Sequence, residues 1–98
     1  MRRYRNLKMA DVLEEQLGKI LQEDFHVAGA LVTIVNVMID EKLLRADIKL
    51  GIIPHEKGPE VFEAVNHARF ALRQKLIRLL NVRPVPHLHF SIQEEAKE

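Results

Sequence analysis

Residues 59–80 read PEVFEAVNHARFALRQKLIRLL, and how this stretch is read decides the fold. Val61, Val65, Ala68, Leu72, Leu76 and Leu79 recur at the 3.6-residue period of one amphipathic helix. Pro59 suits the first helical position, where a missing N–H costs nothing, and Glu60 and Glu63 complement the helix dipole in the first turn. Two residues contradict a single straight helix. At about 100° per residue, Phe70 points away from the apolar stripe and Arg69 lies beside it. A bend near residues 67–70 relieves both conflicts, so the stretch is expected to form two helices meeting at an angle, although no Pro or Gly sits there to cause it.

Working outward, Arg83-Pro84-Val85-Pro86 is forced extended, and Leu88, Phe90 and Ile92 alternate with His87, His89 and Ser91 as in a strand. The polar stretch Glu94 to Glu98 is expected to be a flexible tail. Upstream, Ile53 to Gly58 reads as a loop around Pro54 and Gly58. Leu44, Ala46, Ile48, Leu50 and Ile52 alternate with Arg45, Asp47, Lys49 and Gly51, the period-two pattern of a strand wet on one face. Leu31 to Ile39 is rich in Val, Ile and Thr but alternates weakly, which predicts a strand with apolar contact on both faces. The polar turn Asp40-Glu41-Lys42 should join these two strands as an antiparallel hairpin. From about Asn6 to Asp24, Ala10, Leu13, Leu17, Ile20 and Leu21 mark a further amphipathic helix, which Gly18 weakens, and Phe25 to Ala30 is its exit. The expectation is one α+β domain over residues 1–98 in αββααβ order, with a three-stranded sheet packed on three helices.

The charge is unevenly laid out. A net charge of +1 hides two basic segments free of acid, residues 1–10 (Arg2, Arg3, Arg5, Lys8) and 69–83 (Arg69, Arg73, Lys75, Arg78, Arg83). Those nine leave six of the fifteen basic residues, and all fourteen acidic ones, to the other 73 positions. Such segregation builds a local positive field suited to a polyanion, though basic residues late in a helix also complement its dipole. No apolar run follows the N-terminal arginines, because Asp11, Glu14 and Glu15 interrupt it, so neither a signal peptide nor a membrane span is expected and the cytoplasm is the expected location.

Catalytic chemistry finds little to work with. Without Cys there is no disulfide, thiolate zinc site or cysteine nucleophile, and the one serine and one threonine, Ser91 and Thr33, both sit mid-strand. No phosphate-binding loop, dinucleotide fingerprint or paired-carboxylate motif occurs, so an enzyme is not expected, and neither is a cofactor. His87 and His89 project from one strand face and could hold a metal with His55 or Glu63, but H-x-H alone supplies no third ligand, and the pair reads as a solvated face. His67 could face RNA or water, and His26 has no evident role.

Four stretches carry a resemblance. They are Arg5-Asn6-Leu7-Lys8-Met9-Ala10-Asp11-Val12-Leu13, the strand Leu31-Val32-Thr33-Ile34-Val35-Asn36-Val37, the stretch Asp40-Glu41-Lys42-Leu43-Leu44-Arg45-Ala46-Asp47-Ile48, and Val82-Arg83-Pro84-Val85-Pro86-His87-Leu88-His89-Phe90. Together they look like the ribosome-binding factor A family of type II KH-like domains, with the closing R-x-V-P-x-L-x-F (Arg83, Val85, Pro86, Leu88, Phe90) the most specific piece. The resemblance implies a monomeric assembly factor that docks on the immature small ribosomal subunit, contacts its ribosomal RNA, assists late maturation and processing, and matters for growth in the cold. Arg2, Arg3, Arg5, Lys8, Arg69, Arg73, Lys75, Arg78 and Arg83 would then meet phosphates. The alternative is a protein-interaction or dimerisation module of the same shape, using the wet sheet face or Phe70 without direct RNA contact. The family's Ala-x-Gly kink would fall on Ala68-Arg69-Phe70, where the alanine is present and the glycine is a phenylalanine. Either the kink survives by packing or the helix is straighter there. Phe70 is expected to fill the core gap that a bend opens, with stacking on an unpaired base as the other reading.

Overall fold

The structure, a computed structural model, describes residues 2–25, 29–80 and 84–93, and over residues 2–6 the backbone. Its elements run α1 (Arg2–Asp24), β1 (Leu31–Ile39), β2 (Arg45–Ile53), a single 3-10 turn (His55–Lys57), α2 (Gly58–His67), α3 (Arg69–Leu80) and β3 (His87–Ile92). This is the expected αββααβ order. The tail 94–98, His26 and Arg83 lie outside the described residues.

The sheet order is β1-β2-β3, with β1 and β2 antiparallel from Leu31↔Ile53 to Ile39↔Ala46, and β2 and β3 parallel from Arg45↔His87 to Leu50↔Ile92. A parallel pair needs a long crossover, and α2 and α3 supply it. The helices cover one face only. Leu13, Leu17, Ile20 and Leu21 of α1, Val61 and Val65 of α2, and Leu72 and Leu76 of α3 form one core cluster with Val32, Val37, Ala46, Ile48, Leu50, Ile52 and Leu88 of the sheet. The opposite sheet face is open, and β2 turns Arg45, Asp47 and Lys49 to it, as its alternation predicts.

β1 corrects its reading. It does not have apolar contact on both faces; its weak alternation comes from a bulge between Ile34 and Asn36, where Val35 is the extra residue. An inserted residue shifts the inward phase by one. Val32 and Ile34 therefore face the core before it, and Val37 and Ile39 after it, while Leu31, Val35 and Met38 lie exposed. Gly51 makes room for the bulge, since a Cβ there would stand 3.0 Å from Val35 Cγ2.

α1 begins at Arg2, about a turn earlier than the apolar stripe announces, because a stripe marks only the part of a helix that meets the core. α2 begins at Gly58, which places Pro59 one residue inside the helix instead of at its first position. The bend falls as predicted, with α2 ending and α3 beginning at Ala68. Ala68 has φ −89° and ψ 7°, and its N–H is shared between the carbonyls of Ala64 at 3.2 Å and Val65 at 3.1 Å. Among the described residues only Leu43 and Gly29 have positive φ, so the break needs no left-handed residue and hence no glycine. Beyond the break Leu72 and Leu76 keep their expected core positions, and only the last turn of α3 departs from the stripe. Leu79, placed in the core by a continuous helix, is 54% exposed, whereas Ile77 and Leu80 pack against the core.

Because Phe70 is a helical residue whose side chain is exposed, a glycine there would add backbone entropy to the unfolded chain without relieving any strain. Phe70→Gly should therefore lower stability by about 0.5 kcal/mol in urea unfolding, where a strained kink would instead be stabilised. The hairpin turn has its own anchor. Asp40 Oδ1 accepts from the amides of Leu44 at 2.7 Å and Arg45 at 2.9 Å. The Arg45 amide first, helped by that of Leu44, holds the Asp40 carboxyl below its usual range despite some desolvation. A carboxyl depressed in the fold adds stability that is present above its unfolded pKa and lost as pH falls through its folded one. Asp40→Asn should lower the urea midpoint at pH 7, with the gap to the unsubstituted protein closing below about pH 4.

Candidate nucleic-acid interface

The basic segment 69–80 becomes α3, which carries no acidic side chain. Its four cations do different things. Arg69 and Arg78 are exposed. Arg73 is half-buried: its Nε donates to the carbonyls of Val85 and Pro86, both at 3.1 Å, and its Nη2 donates to Val85 O at 2.7 Å. Lys75 Nζ meets Asp24 Oδ2 at 2.9 Å, tying α3 to the end of α1. Thus Arg73 and Lys75 join elements of the fold, while Arg69 and Arg78 present their charge outward. Lys8 is exposed on α1, and the backbone of Arg2, Arg3 and Arg5 forms the first turns of that helix.

Phe70 does not fill the core. It is 71% exposed, and at the bend it is Ala68 that packs against the core. Beside it, Arg69, Phe70 and Arg73 on α3 face His87, Leu88 and His89 on β3 across a groove of about 350 Å³. Leu88 is buried and forms the floor, while His87 is exposed and His89 half-buried. Among the described residues no group of three His, Cys, Asp or Glu side chains is placed to hold a metal, so neither His55 nor Glu63 completes a site with the two histidines. His67 is not in the groove. It lies on the outer side of α2 beside Glu60 and Glu63.

Sequence reasoning missed that His87 and His89 face Arg69 and Phe70. The four residues come together only because β3 runs parallel to β2 and α3 lies against it. The one local signal, the alternation of β3, shows that the histidines share a face and not what lies opposite. On the open sheet face Asp47, in register with His89, is paired with Arg45 at 2.9 Å. The residues that line the groove include two arginines and no carboxylate.

The sequence profile of ribosome-binding factor A matches residues 5–98. The chain belongs to that family. A ribosome-binding factor A from Anaplasma marginale (strain St. Maries) is 32% identical over 92 residues, covering 93% of this chain and 79% of that one. Another, from Solibacter usitatus (strain Ellin6076), is 34% identical over 90 residues, covering 88% of this chain and 72% of that one. In fold, the chain superposes on the crystal structure of ribosome-binding factor A from Thermus thermophilus with a TM-score of 0.73 at 21% identity, over 89% of this chain and 94% of the other. The fold is thus the α+β arrangement expected from the sequence, a three-stranded sheet packed on three helices, and that structure shares it. Ribosome-binding factor A is a binding protein and not an enzyme. Among the described residues no helix is long and apolar enough to cross a membrane.

Within this member of the family, Arg73 holds the candidate surface together. Hydrogen bonds from a charged donor contribute about 1.5–3 kcal/mol, and two buried carbonyls would lose their partner without it. Arg73→Ala should therefore lower the unfolding free energy by roughly that amount, and Arg69→Ala should leave it within about 0.5 kcal/mol. Urea unfolding of both variants checks the contrast.

Proposed function

We propose that the chain is a ribosome-assembly factor that binds the small ribosomal subunit and its ribosomal RNA and assists late maturation and rRNA processing. It would act as a monomer in the cytoplasm, through the outward side of α3 and the N-terminal turns of α1. The observation that carries this is the acid-free surface of α3, where Arg69 and Arg78 are exposed on either side of the two cations the fold uses. Glu60 and Glu63, exposed on α2, and Asp11, Glu14 and Glu15, exposed on α1, make other faces of the molecule repel phosphate. A polyanion is thereby steered to one side. Membership in ribosome-binding factor A supports the ribosome as the source of that polyanion.

A second reading has its own support. Leu31, Val35, Met38 and Ile53 are exposed on the open sheet face, and such apolar groups suit a protein partner. Salt separates the two readings, since phosphate contacts release counterions and apolar contacts do not.

The test is a titration of small subunits over a range of salt concentrations. Removing one cation that meets a phosphate should reduce the slope of log affinity against log salt by about 0.7–0.9. Arg69→Ala with Arg78→Ala should flatten the slope by up to two such steps. Cells lacking the protein should accumulate precursor small-subunit RNA and grow poorly in the cold, and the double variant should rescue them incompletely. An unchanged slope and full rescue would remove α3 from the interface.

A further inference from the structure

The two edges of the sheet are built differently. β3, at one edge, is entered through Pro84 and Pro86 and packs against α2 and α3. β1, at the other, pairs with β2 on one side, and among the described residues no strand meets the N–H and C=O groups of its outer side. Edge strands are ordinarily blunted by lysine or another charge, by proline or by a bulge, because an open ladder invites further pairing. Over its nine residues β1 has no charge and no proline. Its bulge at Val35 still leaves regular runs at residues 31–34 and 36–39. Such an edge is a template for one more strand, held by main-chain hydrogen bonds.

The surroundings of β1 decide which strand. α1 packs against β1, and residues 9–42 carry Asp11, Glu14, Glu15, Glu23, Asp24, Asp40 and Glu41 against two lysines, Lys19 and Lys42. Asp24 is engaged by Lys75, while Asp11, Glu14 and Glu15 are exposed. The β1 side of the molecule is therefore acidic where the α3 side is basic. A second copy of β1 suits this badly, because two-fold pairing of the edges would lay one α1 beside the other and set carboxylates against carboxylates. A basic strand suits it well. On the open face Leu31, Val35 and Met38 are exposed, and the cation beside them is Lys49, in register with Asn36. An added strand would accordingly lay apolar side chains on that face and basic ones on the α1 face, and alternation in a strand separates the two sets. We infer that the outer edge of β1 takes an extended basic segment of a ribosomal protein as a fourth strand, with lysines or arginines alternating with apolar residues. Basic arms are common on proteins that bind nucleic acid, and a ribosome-binding factor works among such proteins. This contact goes beyond the RNA-binding surface proposed above and uses no residue of α3.

The test uses the full chain and an eight-residue peptide of alternating lysine and valine. Three further peptides accompany it: one N-methylated at every valine, one N-methylated at every lysine, and one with glutamate in place of lysine. An added strand turns alternate amides toward β1, so one of the two methylated peptides should lose affinity on the order of ten-fold or more while the other binds as the parent does. The glutamate peptide should not bind. Glu14→Gln with Glu15→Gln should weaken binding of the lysine peptide about three-fold and, both positions being exposed, leave the urea midpoint where it is. Hydrogen exchange should show alternate amides of β1 protected by the peptide, and the same amides protected when the chain binds small subunits. Equal binding of both methylated peptides would mean that charge alone holds the ligand, and equal binding of the glutamate peptide would remove the acidic side from recognition; either overturns the inference. So does self-association in sedimentation that protects β1 without peptide, because the edge then belongs to a second copy. If subunits protect α3 and leave β1 exchanging freely, the inference is wrong and the RNA-binding reading survives. If they protect β1 while Arg69→Ala with Arg78→Ala changes nothing, the RNA-binding reading falls and the inference stands.

Discussion

The arrangement of the candidate surface depends on the guanidinium of Arg73. The segment entering β3 contains Pro84 and Pro86, and prolines bring carbonyls but no N–H groups to a backbone ladder. Val85 and Pro86 are nevertheless buried, so their carbonyls need donors from elsewhere. Arg73 supplies three hydrogen bonds to them. Its planar fork suits this better than a lysine would, because it reaches two acceptors from one fixed geometry. Arg69 stands one helical turn before Arg73 and therefore on the same side of α3. Anchoring Arg73 to the approach of β3 turns Arg69 and Phe70 toward His87 and His89.

The same arrangement divides the charges. A cation engaged inside the fold cannot meet a phosphate at full strength, so a count of basic residues overstates the binding surface. Of the four cations on α3, the fold engages Arg73 and Lys75 and leaves Arg69 and Arg78 outward. The Lys75–Asp24 pair is about 40% exposed on both sides, so it adds little to stability. Its effect is on the field, because it lowers the positive charge near the end of α1 and leaves the groove end of α3 as the stronger pole.

Much of this fold is legible in the sequence because its signals are local. The period-two pattern of β2, the polar turn at Asp40 and the stripe along Leu13, Leu17, Ile20 and Leu21 each report a single element meeting a single core. The weak alternation of β1 is visible but ambiguous, and the sequence reading resolves it the wrong way. A bulge and a strand buried on both sides both blur a period of two, and only the pairing with β2 tells them apart. Leu79 is misplaced as well. Leu72 and Leu76 hold the stripe beyond the break, but in the last turn of α3 Ile77 and Leu80 pack against the core where the spacing points to Leu79. The candidate site is least legible, since half of its groove comes from α3 and half from β3, with neither local pattern referring to the other.

The Ala68 junction shows how a family feature can persist after its expected residue is gone. A glycine at a kink is required only if the chain there takes a positive φ or if another backbone must come close. Here φ at Ala68 is −89°, and the N–H shared between Ala64 and Val65 tightens the last turn of α2 enough to end it. The burial of Val61 and Val65 on one side, and of Leu72 and Leu76 on the other, holds the two helices against the sheet without any special backbone conformation. With the geometry secured by packing, position 70 is released from a backbone duty and can carry a side chain. A large aromatic ring at a released position costs solvation, because it exposes apolar surface to water.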